Sequence, residues 1–288
     1  MTEFFAKRKI NLEFRLAIDE QGDTQGPVVK VDGHRCSVSY TVFNGWSQGQ
    51  VHVAVWGLPL STINELTTIG PVMSARKNNG INIFAGDDPG KMSKVYSGII
   101  YMAWADFQAA PENVLHIVAY SSALAQVKIA PTRSFPGEKN ISEILQEIAD
   151  EQQLTFEDNL LKPIFLRDQH CKGDVLSQIR DICYKANVNW TIEVGILAIW
   201  PKDRSRIREL IPVNKDTGLV GYPMFSSQGV ILKMLYNPEI IQGGKIVLKS
   251  SLTPANGKWT VATCMHMLES EIPGGQWFTQ VLCQRSLA

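Results

Sequence analysis

Neither sign of charge prevails in this chain: 28 Lys and Arg stand against 28 Asp and Glu, for a formal net charge of zero. Without a surplus of cations there is no global attraction for nucleic acid or an anionic membrane, so any such contact must rest on a local cluster. Long apolar runs are missing as well. No stretch approaches the about 18 apolar residues that a membrane span requires. Met1–Ile18 carries Phe4-Phe5 and then Lys7-Arg8-Lys9, with charge where a secretory leader needs an apolar core. The expectation is a protein made in a cytosol-like compartment, with no membrane partner. Cysteine is sparse: Cys36, Cys171, Cys183, Cys264 and Cys283 form no C-x-x-C and no zinc-like pairing with histidine, the nearest approach being His170-Cys171. Free, partly buried thiols are expected.

Signatures of catalysis are missing too. There is no G-x-S-x-G, no H-E-x-x-H and no phosphate-binding P-loop. His34, His52, His116, His170 and His266 fall mostly in strand-like patterns, where a lone histidine is ordinarily packed or exposed. A glycosidase needs two carboxylates facing each other across a cleft. Glu143, Glu147, Asp150 and Glu151 are the densest acidic group, but their spacing puts them on the solvent face of one helix. Gly86–Lys91 (GDDPGK) has the look of a phosphate or calcium cradle. A phosphate loop needs a helix after it, a calcium loop needs more oxygen ligands, and a strand pattern follows here, so a hairpin loop is expected. No catalytic residue, cofactor or metal ligand is assigned.

What the chain does have is strand patterning at both ends and helical patterning between. Ile10, Leu12, Phe14, Leu16 and Ile18 fall on one face of an extended segment, with Asn11, Glu13 and Arg15 opposite. Cys36–Phe43, Gln50–Trp56, Ile81–Ala85, Val95–Trp104 and Val114–Tyr120 are further strands, with a turn over Gln21–Pro27 and a short helix to Leu66 capped by Ser61 or Thr62. Pro131–Gly137 reads as a linker. Beyond it Ile141, Ile144, Leu145 and Ile148 make a helical stripe behind Asn140 as N-cap, and Asp174–Ala186 makes a second, with Val175, Ile179, Ile182 and Cys183 on one side. A hairpin turning at Gly195 ends this part at Trp200. After it come strands over Lys245–Leu252 and Trp259–Leu268 joined at Asn256-Gly257, then a Pro273-Gly274-Gly275 turn into Gln276–Gln284.

The wording of the C-terminal stretch resembles the barrel of baseplate hub proteins, the late control protein D-like components at the tip of phage tails and of contractile injection machines. The pieces that carry the likeness are Asn237-Pro238, Gly243-Gly244, Asn256-Gly257-Lys258-Trp259, His266-Met267-Leu268-Glu269-Ser270 and Pro273-Gly274-Gly275-Gln276-Trp277. Trp56–Thr62, Ile81–Gly90, Tyr96–Ile100 and Leu115–Tyr120 resemble the N-terminal barrel of the same family. The resemblance implies a mainly β chain with an α/β insert: a hub barrel over 1–130, an inserted α/β domain over 131–205, similar to peptidoglycan-binding LysM modules, and a second barrel over 206–288, completed by strands from 110–130. It implies a homotrimer in the virion, assembled in the host cytoplasm, adapting the sixfold tail tube to a threefold central spike and meeting other baseplate proteins. A cell-wall-binding or cell-wall-degrading tail protein, or the hub part of a contractile secretion system, is the alternative.

Two groups of residues stand out as candidate contacts. Trp259, Trp277 and Phe278 flank the Asn-Gly and Pro-Gly-Gly turns, where a closed barrel would only partly bury them, so a subunit interface is expected there. The other tryptophans (Trp46, Trp56, Trp104, Trp190 and Trp200) read as core or interface ahead of a sugar-stacking set. Lys202, Arg204, Arg206 and Arg208 alternate along one segment. They would line a channel for transient DNA passage by neutralising phosphates, or form a solvated connector.

Overall fold

The computed structural model describes residues 7–17, 25–42, 49–68, 79–87, 91–108, 110–121 and 130–285. In chain order the elements are β1 (Lys9–Ala17), β2 (Gln25–Asp32), β3 (Cys36–Val42), β4 (Gln50–Trp56), α1 (Leu60–Leu66), β5 (Gly80–Gly86), β6 (Ser93–Asp106) and β7 (Val114–Tyr120). Then come β8 (Arg133–Asn140), α2 (Ile141–Glu151), β9 (Thr155–Asp158), β10 (Phe165–Cys171), α3 (Val175–Lys185), β11 (Val188–Glu193) and β12 (Ile196–Pro201). The rest are β13 (Ile211–Val213), β14 (Met224–Ser226), β15 (Gly229–Leu235), β16 (Lys245–Leu248), β17 (Gly257–Ser270) and β18 (Trp277–Arg285). The fold is mainly β, with large antiparallel sheets. Trp46, the centre of the Gly86–Lys91 loop, residues 21–24 of the first expected turn, Ile18, and 122–129 of the strands expected from 110–130 lie outside the described residues.

The chain divides into two compact units. The first draws on Met1–Thr41, Gln50–Ala123 and His266–Phe278; the second on Val42–Gly49, Leu124–Met265 and Thr279–Ala288. Strand β17 changes unit between Met265 and His266, so the N-terminal unit takes a segment from near the far end of the sequence.

In the first unit the strand order is β3-β4-β7-β6-β5-β1-β2, with the last residues of β17 beside β3. Val38 stands opposite Val53, and Val53 opposite Ile117, so like residues share a face from strand to strand. Ile10, Leu12 and Phe14 are buried as the alternation requires, with Ile81, Ile83, Leu115 and Ile117. The phase slips twice along β6. Val95 has no partner between Tyr96↔Ile83 and Lys94↔Phe84, which lets Val95 and Tyr96 both be buried. Tyr101 is the extra residue between Ile100↔Ala119 and Met102↔Val118, and it is turned outward against Tyr120. Among the described residues β2 pairs with β1 alone, so this sheet is open and the expected closed barrel is not found. Helix α1 begins behind Pro59 with no side-chain cap, so neither Ser61 nor Thr62 caps it.

The second unit contains the helices. Asn140 caps α2, its side chain accepting from Ser142 N at 3.2 Å, and Asp174 caps α3, accepting from Ser177 N at 2.8 Å. Ile141, Ile144, Leu145 and Ile148 meet Val175, Ile179, Ile182 and Cys183 in one core with Leu197 and Ile199 of β12. Strand β9 lies parallel to β12, which pairs antiparallel with β11 through the two left-handed residues Val194 and Gly195. The segment expected to be a linker is strand β8, paired with β10. Its Pro136 and Gly137 are tolerated because they sit in a register break opposite Asp168, whose carboxylate accepts from Gly137 N at 2.7 Å.

The unit's other core gathers Val213, Val230, Leu232, Ile246, Leu248, Val261 and Val281. Its strands run β14-β15-β18-β17, with β16 on β17 and β13 parallel to β16. This part, too, holds no closed barrel among the described residues. The Asn-Gly pair does not make the tight turn expected of it. Asn256 is extended (φ −67°, ψ 143°), and its side chain accepts from Ser250 N at 2.6 Å and donates to Ser250 O at 2.9 Å, cinching a longer loop that holds a short 3-10 turn over Thr253–Ala255. The Pro273-Gly274-Gly275 turn forms as read, with Gly274 at φ 68° and Gly275 N donating to Ile272 O at 3.0 Å. All five cysteines are buried and outside any disulfide.

Candidate functional site

The basic segment after β12 holds one buried arginine between exposed neighbours. Lys202, Arg204 and Arg208 are exposed, whereas Arg206 is 2% exposed. Its Nε and one terminal nitrogen donate to the two oxygens of Glu157, each at 2.8 Å, and the other terminal nitrogen donates to Gln242 O at 3.2 Å. Arg208 shares Glu157 at 2.6 Å. The Arg206 backbone N–H bonds Gly243 O at 2.8 Å, and its guanidinium lies 5.8 Å from the Trp200 ring centre. Arg206 is therefore an internal clamp between β9 and the Gln242-Gly243 turn, with its charge buried. The reason is chemical: a planar five-donor fork is the cation best suited to burial against a carboxylate.

The carboxylates around that clamp are driven apart. Burial alone would raise Glu157, but the hydrogen bonds and charge of Arg206, with Asn159 and Arg208, outweigh it and hold the group at about 2. Glu193 is pushed up to about 7 by burial, which the weaker pull of Arg206, 3.6 Å away, does not offset. Sequence reading missed both residues. β9 reads TFED and β11 VNWTIE, and neither pattern singles out its glutamate.

Of the aromatics expected at an interface, two are core. Trp259 is 9% exposed and its Nε1–H donates to Ala255 O at 2.9 Å; Trp277 is 3% exposed with the Arg8 guanidinium 5.8 Å from its ring centre. Phe278 is half-buried. The turns beside the tryptophans are longer or more wrapped than a bare hairpin, so the rings are covered within their own chain. The acidic residues of α2 stand on its solvent face, where Glu143 faces Lys139 at 3.9 Å and Glu147 faces Arg133 at 3.7 Å. Glu151 also pairs with Arg133. Among the described residues no group of three or more His, Cys, Asp or Glu is placed to hold a metal ion, and no helix is long and apolar enough to cross a membrane.

The exposed apolar surface lies elsewhere. Strand β14 is the outer strand of the second unit's sheet, bonded to β15 alone among the described residues, and all three of its residues are exposed. Tyr222, Met224 and Phe225 are 75%, 61% and 56% exposed, with Val220 and Leu235 exposed beside them. Pro223 withholds an N–H from this edge, which blunts strand addition and leaves side-chain packing as the mode of contact. Strings of large apolar groups on a sheet edge are a liability when left uncovered. In the sequence, Tyr222–Phe225 looks like any core strand; only the edge position gives it away. In the first unit Trp104, 40% exposed, is stacked at 5.2 Å on His116.

Solved structures share this architecture. A tail protein from Neisseria meningitidis MC58 matches with a TM-score of 0.65 at 8% identity, covering 96% of each chain. The 43 kDa tail protein of prophage MuSo2 from Shewanella oneidensis matches with a TM-score of 0.60 at 8% identity, over 96% of this chain and 98% of that one. A chain of the Francisella PdpA-VgrG complex matches with a TM-score of 0.51 at 8% identity, over 97% of this chain and 59% of that one. At such identity the likeness is one of fold, and the fold is that of tail proteins. No curated protein matches the sequence. The family model for baseplate hub gp41 matches residues 47–280, and the chain belongs to that family. It is a structural component of a phage tail baseplate, and so of the virion's tail.

Proposed function

We propose that the chain works as a homotrimeric symmetry adaptor at the tail tip, joining the sixfold tail tube to the threefold central spike. Two compact units per chain support this reading, because three copies then offer six units around an axis. The observation that carries it is the exposed apolar edge at Tyr222, Met224 and Phe225, a surface suited to an adjacent copy of the same chain. Phe278 stays a proposed contact residue, whereas Trp259 and Trp277 are each buried in their own unit. The tube, the spike and other baseplate proteins are its proposed partners, assembled in the host cytoplasm, and the role is architectural with no chemical step. For DNA passing the tail, Lys202, Arg204 and Arg208 are the cations of this segment that remain at the surface.

Light scattering coupled to size exclusion tests the trimer: the expected mass is three times the 32.1 kDa chain at micromolar concentration. The Tyr222→Ser, Met224→Ser double variant is expected to run as a monomer with an unchanged melting temperature. A reconstruction of the particle with one copy or six at the tail axis would overturn the reading.

A further inference from the structure

The Asn-Gly pair before β17 is chemically labile as well as structurally misleading. Asn44-Gly45, Asn79-Gly80 and Asn256-Gly257 are the Asn-Gly pairs of the sequence, and the first lies outside the described residues. Asn79 is 2% exposed, whereas Asn256 and Gly257 are both exposed, on the loop between β16 and β17. Asparagine is a thermolabile residue, and a glycine after it leaves the following backbone nitrogen unshielded. Nothing stands within 4 Å of the place a Cβ of Gly257 would take, so the approach is clear. What holds the chemistry back is the way the side-chain amide is used. Its Oδ1 accepts from Ser250 N at 2.6 Å and its Nδ2 donates to Ser250 O at 2.9 Å. Both polar atoms are thus tied across the loop, and Asn256 Cγ cannot swing onto the Gly257 nitrogen until both bonds open.

We propose that Asn256-Gly257 is a guarded deamidation site, a covalent switch that the Ser250 clamp holds off while the loop is closed. In the open loop the Gly257 backbone nitrogen attacks Asn256 Cγ. A carbon–nitrogen bond forms between them, the side-chain carbon–nitrogen bond breaks, and the proton of the attacking nitrogen ends on the departing ammonia. The cyclic imide left behind takes up one water at either carbonyl and becomes aspartate or isoaspartate, with nothing oxidised or reduced. The product does not fit the clamp. An aspartate carboxylate still accepts from Ser250 N, but it has no N–H for Ser250 O and sets oxygen against oxygen there. Isoaspartate adds a carbon to the backbone at the foot of β17. The loop, once converted, therefore stays open. It carries the 3-10 turn whose Ala255 O takes the Trp259 indole N–H at 2.9 Å, so the change reaches the core of the second unit.

Peptide mapping by mass spectrometry, on the full chain at mildly alkaline pH, tests the guard. Trypsin releases Asn256 in Ser250–Lys258 and Asn79 in Asn78–Lys91, so one digest reads both sites. In the folded chain Asn256 should convert about five- to hundredfold more slowly than in urea, the range that opening two hydrogen bonds sets. Ser250→Pro removes the N–H of the clamp and should speed Asn256 by about two- to tenfold in the folded chain, with Asn79 unchanged. Ser250→Ala keeps both clamp bonds, loses only the Oγ bond to Leu252 N, and should convert more slowly than Ser250→Pro. Asn256→Asp installs the product directly, and hydrogen exchange at the Trp259 indole N–H should be faster in it than in the unaltered protein. Equal rates at Asn256 in folded and unfolded chain, or no acceleration in Ser250→Pro, would overturn the guard. An indole N–H as protected in Asn256→Asp as in the unaltered protein would overturn the switch, whether or not the proline variant folds.

Discussion

Arg206 and Glu157 meet fork to fork, 49 residues apart in sequence, through two N–H···O bonds of 2.8 Å each. Glu157 belongs to β9, Arg206 to the segment after β12, and the same guanidinium reaches the carbonyl of Gln242. One side chain therefore ties three separate stretches of the second unit together. Removing it strands a carboxylate at 22% exposure next to the nearly buried Glu193. Arg206→Ala should destabilise the second unit by about 3–5 kcal/mol, the loss typical of a buried pair broken on one side. Arg206→Lys should lose less than this but more than nothing, since the charge stays and the fork does not. Urea unfolding followed by tryptophan fluorescence measures both; a lysine variant with the midpoint of the unaltered protein would show that the fork geometry contributes nothing.

Acid and base should act on this cluster in opposite directions. Glu157, ordinarily at 4.5 and held at about 2, contributes stability that is complete above pH 4.5 and lost as pH falls toward 2. Glu193, raised from 4.5 to about 7, contributes the reverse: the fold is favoured below 4.5 and weakened as pH rises through 7, when a buried carboxylate must ionise. Arg206, Glu157 and Arg208 are the charges that act on Glu193. His266, in the first unit, is lowered to about 4 by burial and adds its own loss of stability as pH falls below 6.5. The clean readout is therefore a difference. The melting temperature of Glu193→Gln minus that of the unaltered protein should rise between pH 5 and pH 8, and a flat difference would remove Glu193 from the account.

Two glycines in the left-handed region separate backbone strain from crowding. Gly243 is at φ +75°, and a Cβ there would stand 2.9 Å from Arg206 Cδ and 3.0 Å from Trp200 Cε2. Gly137 is at φ +74° with nothing within 4 Å of such a Cβ. Gly137→Ala should cost about 1–2 kcal/mol, the left-handed penalty alone. Gly243→Ala should cost about 1–3 kcal/mol more, from overpacking. Thermal melts of the pair check this, and equal losses would mean that the clamp moves aside freely.

Core and contact aromatics should part company on substitution. Trp259→Ala is expected to lose about 3–5 kcal/mol as a large-to-small change in a core. Phe225→Ser, on the exposed edge, should leave the melt of the dissociated chain within about 0.5 kcal/mol and act on the assembled mass alone. Denaturant titration beside light scattering distinguishes the two, and a stable Trp259→Ala chain that fails to assemble would return Trp259 to the interface.

Much of the fold is legible where one face of an element meets a core. Ile10, Leu12 and Phe14 announce a strand, and Ile141, Ile144, Leu145 and Ile148 a helix, because burial imposes the period directly. Turn chemistry is less faithful. Asn256-Gly257 carries the strongest short hairpin signal, yet the Asn amide is used to bridge Ser250 across a loop, an equally good satisfaction of the same groups. Lys202, Arg204, Arg206 and Arg208 look alike in sequence. What singles out Arg206 is a carboxylate on another strand, and no local pattern records it. The edge residues Tyr222, Met224 and Phe225 are invisible for the opposite reason, since an apolar strand reads as buried until its position at the end of a sheet is known.

Strand β17 has a consequence for how the protein is made. Its residues from His266 onward, with Ile272–Phe278, complete the first unit, whose other strands all lie before Ala123. A ribosome that has finished β1 to β7 has thus released a sheet still lacking the neighbour of β3, and it must synthesise the whole of the helical segment before that neighbour exists. The second unit closes later still, with Thr279–Ala288. The amino-terminal unit is consequently completed only near the end of translation although it is the first to be started, and a chain cut short before Gly257 would leave both units without the strand they share.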